Sequence, residues 1–170
     1  MSRTPPIALT IAGSDSGGGA GLQADLRTFT VCGVHGCVAV TAVTVQNSLG
    51  VSRVVEIPPD AVADQIRAVA SDISVGATKT GMLASASIIK AVAAACDEVG
   101  IGAGGAGTPF VVDPVAASMH GDQLLADEAL DSLRGELFPR ATLVTPNLDE
   151  VRLLVDIDVR SREQQYQAAR

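Results

Sequence analysis

Aromatic residues are scarce in this chain of 170 residues, which has no tryptophan, one tyrosine and three phenylalanines. Hydrophobic residues nevertheless make up 47% of the sequence, so the core must be built from valine, alanine, leucine and isoleucine. The length is close to that of one ordinary domain of roughly 100–200 residues. We therefore expect a single domain over residues 1–170.

Positive charge is also scarce. The only lysines are Lys79 and Lys90, and the net charge is −7. A protein that binds nucleic acid displaces the counterions of the phosphate backbone with clustered lysines and arginines. Because the sequence has no such cluster, we expect no nucleic-acid partner.

Long apolar runs and regularly spaced cysteines are missing as well. No stretch approaches the roughly 20 apolar residues of a membrane span, and the apolar run 7–12 is shorter than the apolar region of a signal peptide. Cys32, Cys37 and Cys96 lack the spacing of metal ligands, and we expect buried free thiols. These features predict a cytoplasmic protein without a membrane partner.

Apolar, β-branched runs alternate with helical patterns along the chain. The predicted strands span residues 7–12, 36–45, 51–57, 73–79, 110–113 and 141–145. The predicted helices span residues 22–32, 60–71, 85–99, 126–137 and 147–155, and a further helix begins after Ser161. Asp60 is the predicted N-cap of the second helix. Such alternation is typical of a mostly parallel sheet covered on both faces, with ligands beyond the carboxyl ends of the strands.

A glycine-rich segment, residues 13–21, joins the first strand to the first helix. Glycines allow close approach of the backbone to a ligand, and N–H groups at the start of a helix can hold anionic or polar groups. Part of the segment matches a dinucleotide fingerprint, but no acid follows Asp25 until Glu56, where that fingerprint requires one about 20 residues on. A P-loop requires a Gly-Lys pair, which is absent. A ligand-binding turn and a plain connection stay open as interpretations.

Polar residues follow the later strands. Gln46 ends a buried strand, and its amide can both donate to and accept from a heterocycle. Asp113 stands where another strand ends, a position at which carboxylates hold metal or water. Asn147 and Glu150 have the spacing of a helix capping box, while Lys79 has the alternative of a solvated surface residue. Spacing alone leaves a structural and a functional interpretation open for each.

Taken in chain order, these segments resemble the signature motifs of hydroxymethylpyrimidine/phosphomethylpyrimidine kinases, which belong to the ribokinase-like superfamily and serve thiamine biosynthesis. The matching segments are residues 12–15, 18–25, 41–47, 79–83, 112–115 and 145–150. The resemblance covers residues 7–160. It implies a ribokinase-like three-layer α/β/α fold with a mostly parallel central sheet, and ATP-dependent phosphorylation of 4-amino-5-hydroxymethyl-2-methylpyrimidine or its monophosphate.

The resemblance also implies a role for each candidate residue. Asp25 and Gln46 would hydrogen-bond the polar edge of the pyrimidine. The residues implied to contact or surround the pyrimidine are Gly13, Ala20, Asp25, Gln46, Met82 and Val115. The residues implied to organise Mg²⁺, its waters and the phosphates of ATP are Asp113, Asn147 and Glu150. The resemblance further suggests a homodimer.

The end of the chain departs from the family pattern. Family members are longer, and their C-terminal part supplies a glycine-rich anion hole and a catalytic aspartate or cysteine. We expect these groups beyond Arg170, and therefore a truncated domain with an exposed sheet edge and little or no turnover by the 170 residues alone. A non-catalytic pyrimidine-binding remnant and a related kinase, such as one for pyridoxal, stay open as alternatives.

Overall fold

The computed structural model describes residues 4–102, 107–116 and 125–169. Its strands are β1 (Ile7–Asp15), β2 (His35–Asn47), β3 (Gly50–Glu56), β4 (Ala77–Thr80), β5 (Phe110–Val112) and β6 (Leu143–Val144). They form one six-stranded sheet with the order β3-β2-β1-β4-β5-β6. The β2–β3 pair is antiparallel, and the other neighbouring pairs are parallel. The prediction of a mostly parallel sheet is confirmed.

Helices follow the strands in the predicted order. They are α1 (Gly21–Val31), α2 (Pro59–Asp72), α3 (Ala86–Val99), α4 (Asp127–Ser132), α5 (Leu148–Val155) and α6 (Arg162–Ala168). The single helix predicted over 126–137 is wrong, because the α-helical part ends at Ser132 and continues as a π-helical turn, Leu133–Leu137. Gly135 lies in that turn, and glycine is a poor former of α-helix. Among the described residues, every helix is too short or too polar to cross a membrane.

The strand β1 is longer than predicted and takes up part of the glycine-rich segment. It continues past Ala12 to Asp15, and its pairing with β2 shifts register between Ala12 and Ser14. The turn that remains therefore covers only residues 16–20. Conversely, β4 begins at Ala77, which pairs with Ala8, so the predicted strand start at residue 73 is wrong.

One face of the sheet carries the core. Leu9, Ile11, Phe110 and Val112 are fully buried and belong to the same apolar cluster as side chains of α2 and α3. The cluster members from these helices include Val62, Ile66, Ile88, Ile89 and Val92. Because successive strand residues point to opposite faces, the other face presents the residues between them.

On that other face, Thr10 of β1, Lys79 of β4 and Val111 of β5 lie side by side in register. Helix α1 packs against β1 and β2. A Cβ added at Gly36 of β2 would lie 2.5 Å from Leu26 and 2.9 Å from Phe29, so the glycine lets α1 approach closely. This packing brings polar residues of α1 to the carboxyl ends of the strands.

Two local predictions are wrong. The N-cap of α2 is Pro58, and Asp60 lies in the first turn, where its Oδ1 accepts a hydrogen bond from the N–H of Ala61 at 2.9 Å. Proline is favoured at the first helical position, so the helix begins at Pro59. All three cysteines are free, but only Cys37 and Cys96 are buried, since Cys32 follows the end of α1 on the surface.

Candidate functional site

The carboxyl ends of β1 and β4 meet at Gly13 and Met82. A Cβ added at Gly13 would lie 2.6 Å from Met82 Cε, so only a glycine leaves the thioether its place. The loop after β4 is fixed from β2, because Thr41 Oγ1 donates a hydrogen bond to the carbonyl of Met82 at 2.6 Å. Two predicted site residues are thus brought into contact.

The glycine-rich turn binds a carboxylate of its own chain. Asp15, buried with an exposed fraction of 5%, accepts hydrogen bonds of 2.8 Å from Gly17 N–H on Oδ1 and from Gly19 and Ala20 N–H on Oδ2. Burial by itself raises the pKa of this carboxyl, but the N–H groups of residues 17–20 outweigh burial and hold the pKa below 3.8. These three N–H groups of the turn are therefore already engaged by a side chain of the same chain.

Gln46 is fixed through its backbone. Ser16 Oγ donates to the carbonyl of Gln46 at 2.7 Å and accepts from its N–H at 2.8 Å. Thr44 Oγ1 donates to the carbonyl of Ser14 at 2.8 Å and lies 3.3 Å from Gln46 Oε1. The half-buried Gln46 side chain is thereby held beside the end of β1.

Asp25 and Lys79 form an ion pair on the sheet face covered by α1. Lys79 Nζ lies 3.1 Å from both Oδ1 and Oδ2 of Asp25, and Thr10 Oγ1 donates to Asp25 Oδ2 at 2.6 Å. The side chains of Lys79 and Asp25 are only 25% and 15% exposed. The interpretation of Lys79 as a solvated surface residue is therefore wrong, and Asp25 is held by two side chains of the sheet.

Asp113, which directly follows β5, has a pKa that several neighbouring charged residues influence. Burial raises the pKa of the Asp113 carboxyl. The positive charge of Lys79 and the N–H of Val115 lower the pKa, whereas the negative charges of Glu150 and Asp25 raise it further. The net effect raises the pKa of Asp113. Lys79 thus connects the carboxylate of α1 electrostatically with the carboxylate that follows β5.

Asn147 and Glu150 form the capping box of α5, so their structural interpretation is confirmed. Asn147 Oδ1 accepts from Glu150 N–H at 2.9 Å, and Glu150 Oε2 accepts from Asn147 N–H at 2.8 Å. Glu150 Oε1 also accepts from the N–H of Ala116 at 2.9 Å. This buried carboxylate ties α5 to the segment after β5, and its role toward phosphates stays a prediction.

Val115 has an unusual backbone conformation. Its φ angle is 44°, in the left-handed region that a β-branched residue rarely adopts. Such conformations persist only where the surrounding structure enforces them, and they are frequent at ligand sites. Val115 lies two residues after Asp113, so this strained backbone belongs to the segment that follows β5.

The acidic residues fit a hydrated Mg²⁺ ion better than a fully caged metal. Within the described ranges, no three His, Cys, Asp or Glu side chains come together to hold a metal. Mg²⁺ commonly keeps several waters and takes one or two carboxylates together with substrate phosphates. Asp113 offers one such carboxylate, whereas both oxygens of Glu150 already accept backbone N–H bonds.

The predicted residues thus fall into two groups that Lys79 connects. The first lies at the ends of β1, β2 and β4, and comprises Gly13, Ala20, Asp25, Gln46 and Met82. The second lies after β5 and at the start of α5, and comprises Asp113, Val115, Asn147 and Glu150. A mostly parallel sheet with polar groups at the carboxyl ends of its strands has its ligand sites at that edge.

Comparison with known protein families identifies the family of this chain. The family model described as phosphomethylpyrimidine kinase matches residues 15–170. The chain therefore belongs to the phosphomethylpyrimidine kinase family.

Curated relatives agree with this assignment. A hydroxymethylpyrimidine/phosphomethylpyrimidine kinase of Mycobacterium tuberculosis is 64% identical over 167 residues, which cover 98% of this chain and 59% of that protein. The kinase of the same name from Streptomyces coelicolor is 53% identical over 156 residues and is covered to 55%. The chain thus spans little more than half the length of these relatives.

Solved structures agree in fold. Phosphomethylpyrimidine kinase of Clostridium difficile matches with a TM-score of 0.88 at 37% identity, over 96% of this chain and 68% of that one. Pyridoxal kinase of Bacillus subtilis, solved as an ADP complex, matches with a TM-score of 0.82 at 35% identity, over 98% of this chain and 60% of that one. The ribokinase-like α/β fold is confirmed.

Sequence reasoning missed Asp15 as the residue that organises the glycine-rich turn. Gln23 supports it, since Gln23 Oε1 accepts from Asp15 N–H at 2.9 Å and Gln23 Nε2 donates to Ser14 Oγ at 3.0 Å. The signal was an aspartate two residues before consecutive glycines, which is typical of a side chain that bonds the backbone of a following turn.

Proposed function

We propose that the protein transfers a phosphoryl group from ATP to 4-amino-5-hydroxymethyl-2-methylpyrimidine, or to its monophosphate, in thiamine biosynthesis. The observation that carries the proposal is the close approach of Met82 to Gly13 at the carboxyl ends of β1 and β4, together with Gln46, which Ser16 holds near the end of β2. Membership of the phosphomethylpyrimidine kinase family supports it.

The first group of residues suits a flat, polar heterocycle. Gly13 would contribute to the ring site by leaving room for Met82, whose polarizable thioether can cover a ring face. The Gln46 amide can donate to a ring nitrogen and accept from the exocyclic amino group. Asp25, oriented by Thr10 and Lys79, supplies a second acceptor. Ala20 would form part of the wall and Val115 would lie near the ring.

The second group would serve the phosphates. Asp113 would hold Mg²⁺, with Glu150 and Asn147 organising the waters around it. When bound, Mg²⁺ would supply positive charge that neutralises the charge developing during transfer. Glu150 holds the start of α5 and the backbone of Ala116 in place through its hydrogen bonds. The positive charge of Lys79 favours the ionised form of Asp113.

We also propose a single ribokinase-like domain, a homodimer in solution, a cytoplasmic location and no nucleic-acid or membrane partner. The candidate residues position a ring and a metal, but none of them is a candidate for the base at the substrate hydroxyl.

Pyridoxal is the second candidate substrate. Pyridoxal kinases of Bacillus subtilis and Staphylococcus aureus match this chain with TM-scores of 0.82 and 0.80. Pyridoxal is likewise a heteroaromatic ring with a hydroxymethyl group. Gln46 and Met82 favour the pyrimidine, and a non-catalytic pyrimidine-binding remnant is the third alternative.

The test is a phosphate-transfer assay followed by mass spectrometry. The protein as encoded by its gene is incubated with Mg²⁺ and ATP, and with hydroxymethylpyrimidine, its monophosphate or pyridoxal in turn. We expect phosphorylated pyrimidine with a higher kcat/KM than for pyridoxal. A preference for pyridoxal would contradict the substrate assignment, and calorimetric pyrimidine binding without any product would favour the remnant.

A further inference from the structure

The turn at residues 16–20 has the form of an anion-binding site that is already filled. Successive backbone N–H groups in a glycine-rich turn commonly make a concavity for phosphate. Here the N–H groups of Gly17, Gly19 and Ala20 all point at the Asp15 carboxylate, at 2.8 Å. The space beside the turn is equally tight, since a Cβ added at Gly17 would lie 3.2 Å from Asp15 Oδ1.

We propose that Asp15 is a positioning residue of the pyrimidine site, a built-in anion that fixes the turn and, through it, Ala20 and Gln46. This inference rests on the proposed function of the site. Asp15 holds Ala20 directly through its N–H. It holds Gln46 through the turn, because Ser16, inside the turn, exchanges two hydrogen bonds with the Gln46 backbone.

The charge of Asp15 matters as well as its shape. The two carboxylate oxygens accept three N–H bonds, whereas an asparagine would turn an NH₂ donor toward some of them. Hydrogen bonds to an ionised acceptor are about twice as strong as neutral ones. Three consecutive glycines, including Gly18 at φ +73°, would otherwise leave the turn with much conformational freedom.

A consequence concerns where phosphates bind. Because the carboxylate occupies the N–H groups and is itself negative, the turn repels phosphate and faces the neutral ring. The phosphate of a monophosphate substrate, like those of ATP, is therefore directed away from this turn. Replacing Asp15 with alanine should expose three N–H donors and create an anion site where the protein now has none.

The test combines Asp15→Ala with rescue by formate, a small carboxylate. Amide hydrogen exchange of Gly17, Gly19 and Ala20 is measured by NMR, and the affinity for hydroxymethylpyrimidine by calorimetry. We expect exchange at these amides to be about tenfold faster and pyrimidine binding about tenfold weaker, which corresponds to about 1.4 kcal/mol. Added formate should restore both. The matched control is Asp60→Ala, which removes an exposed carboxylate that also accepts one backbone N–H, and which should change neither.

Several results would overturn the inference. Unchanged exchange at the turn amides in Asp15→Ala would show that the carboxylate does not order the turn. A loss of pyrimidine affinity that formate does not restore, while the melting temperature falls, would reduce Asp15 to a structural residue. If Asp15→Ala does not fold, Asp15→Asn replaces it, with a smaller loss of affinity expected and wild-type affinity as the contradicting result.

The exchange and binding measurements also test this inference separately from the proposed function. If the unmodified protein binds no hydroxymethylpyrimidine, the proposed function fails. The exchange rates and the formate response then still decide whether Asp15 is a built-in anion of the turn.

Discussion

The ion pair of Lys79 with Asp25 gives a quantitative prediction. Lys79→Met removes the charge and keeps most of the apolar stem, which leaves Asp25 with Thr10 as its remaining partner in a poorly solvated place. Breaking a buried pair costs about 3–5 kcal/mol, and an exposed pair contributes about 0–1 kcal/mol. With side chains 25% and 15% exposed, this pair lies nearer the buried limit. We expect a loss of about 2–3 kcal/mol in the free energy of unfolding.

The assay is a double-mutant cycle followed by urea denaturation. It compares Lys79→Met, Asp25→Asn and the double variant, and Lys90→Met serves as the matched control on the exposed side of α3. The double variant should cost less than the sum of the single variants, by about 1–2 kcal/mol. Lys90→Met should stay within about 0.5 kcal/mol of the unmodified protein.

Two outcomes would refute the reasoning. If Lys79→Met is as stable as Lys90→Met, the pair contributes nothing and Lys79 is in effect a surface residue. If the single effects are large but strictly additive, Lys79 and Asp25 act separately, and Lys79 does not orient the carboxylate that we assign to the pyrimidine.

Three further predictions follow from single residues. Gly13→Ala should displace the flexible end of Met82, whose Cε would lie 2.6 Å from the new methyl group. Calorimetry should show weaker pyrimidine binding, while the free energy of unfolding falls by only about 1 kcal/mol. An unchanged affinity for the pyrimidine would contradict the role of this contact. The pKa of Asp15 is lowered on folding, so its stabilisation is present above its ordinary pKa of 3.8 and is lost as the pH falls through the lower folded value. The difference in melting temperature between the unmodified protein and Asp15→Asn should therefore be largest near neutral pH and shrink in acid, and a difference that grows in acid would refute the assignment. Val115→Gly should be less destabilising than Val115→Ala by about 1 kcal/mol in thermal unfolding, because only glycine adopts φ 44° without strain; the reverse order would show that side-chain packing dominates there.

The strand and helix order was predictable because it depends on local patterns. Strand β2 was recognisable as an apolar, β-branched run, but buried and exposed residues alternate along it, so the prediction of a buried strand was wrong. Gln46, near the end of β2, and Met82, after β4, lie at the carboxyl ends because parallel strands share a direction. The ends of elements were less predictable. The strand β1 absorbed Gly13 because pairing with β2 outweighed the low strand propensity of glycine.

The network inside the site was not predictable from spacing. Lys79 and Asp25 are 54 residues apart, and their ion pair depends on how α1 packs on the sheet. The sequence pattern of the glycine-rich turn is the same whether its N–H groups bind a ligand or a side chain of the chain itself. Only the positions of the individual N–H groups show that Asp15 occupies them. The ion pair of Lys79 and the capping box of Asn147 became evident only once their partners were known, and the role of Asn147 toward phosphates stays a prediction.

The central claim is that Gln46 and its neighbours form a pyrimidine pocket. Calorimetric titration with hydroxymethylpyrimidine tests it most directly, on the unmodified protein, on Gln46→Ala and on Gln167→Ala, an exposed control on α6. We predict saturable binding to the unmodified protein and to Gln167→Ala, and an affinity loss of about 1–3 kcal/mol for Gln46→Ala from unmade hydrogen bonds. An absence of binding to the unmodified protein, or an unchanged affinity of Gln46→Ala, would contradict the claim.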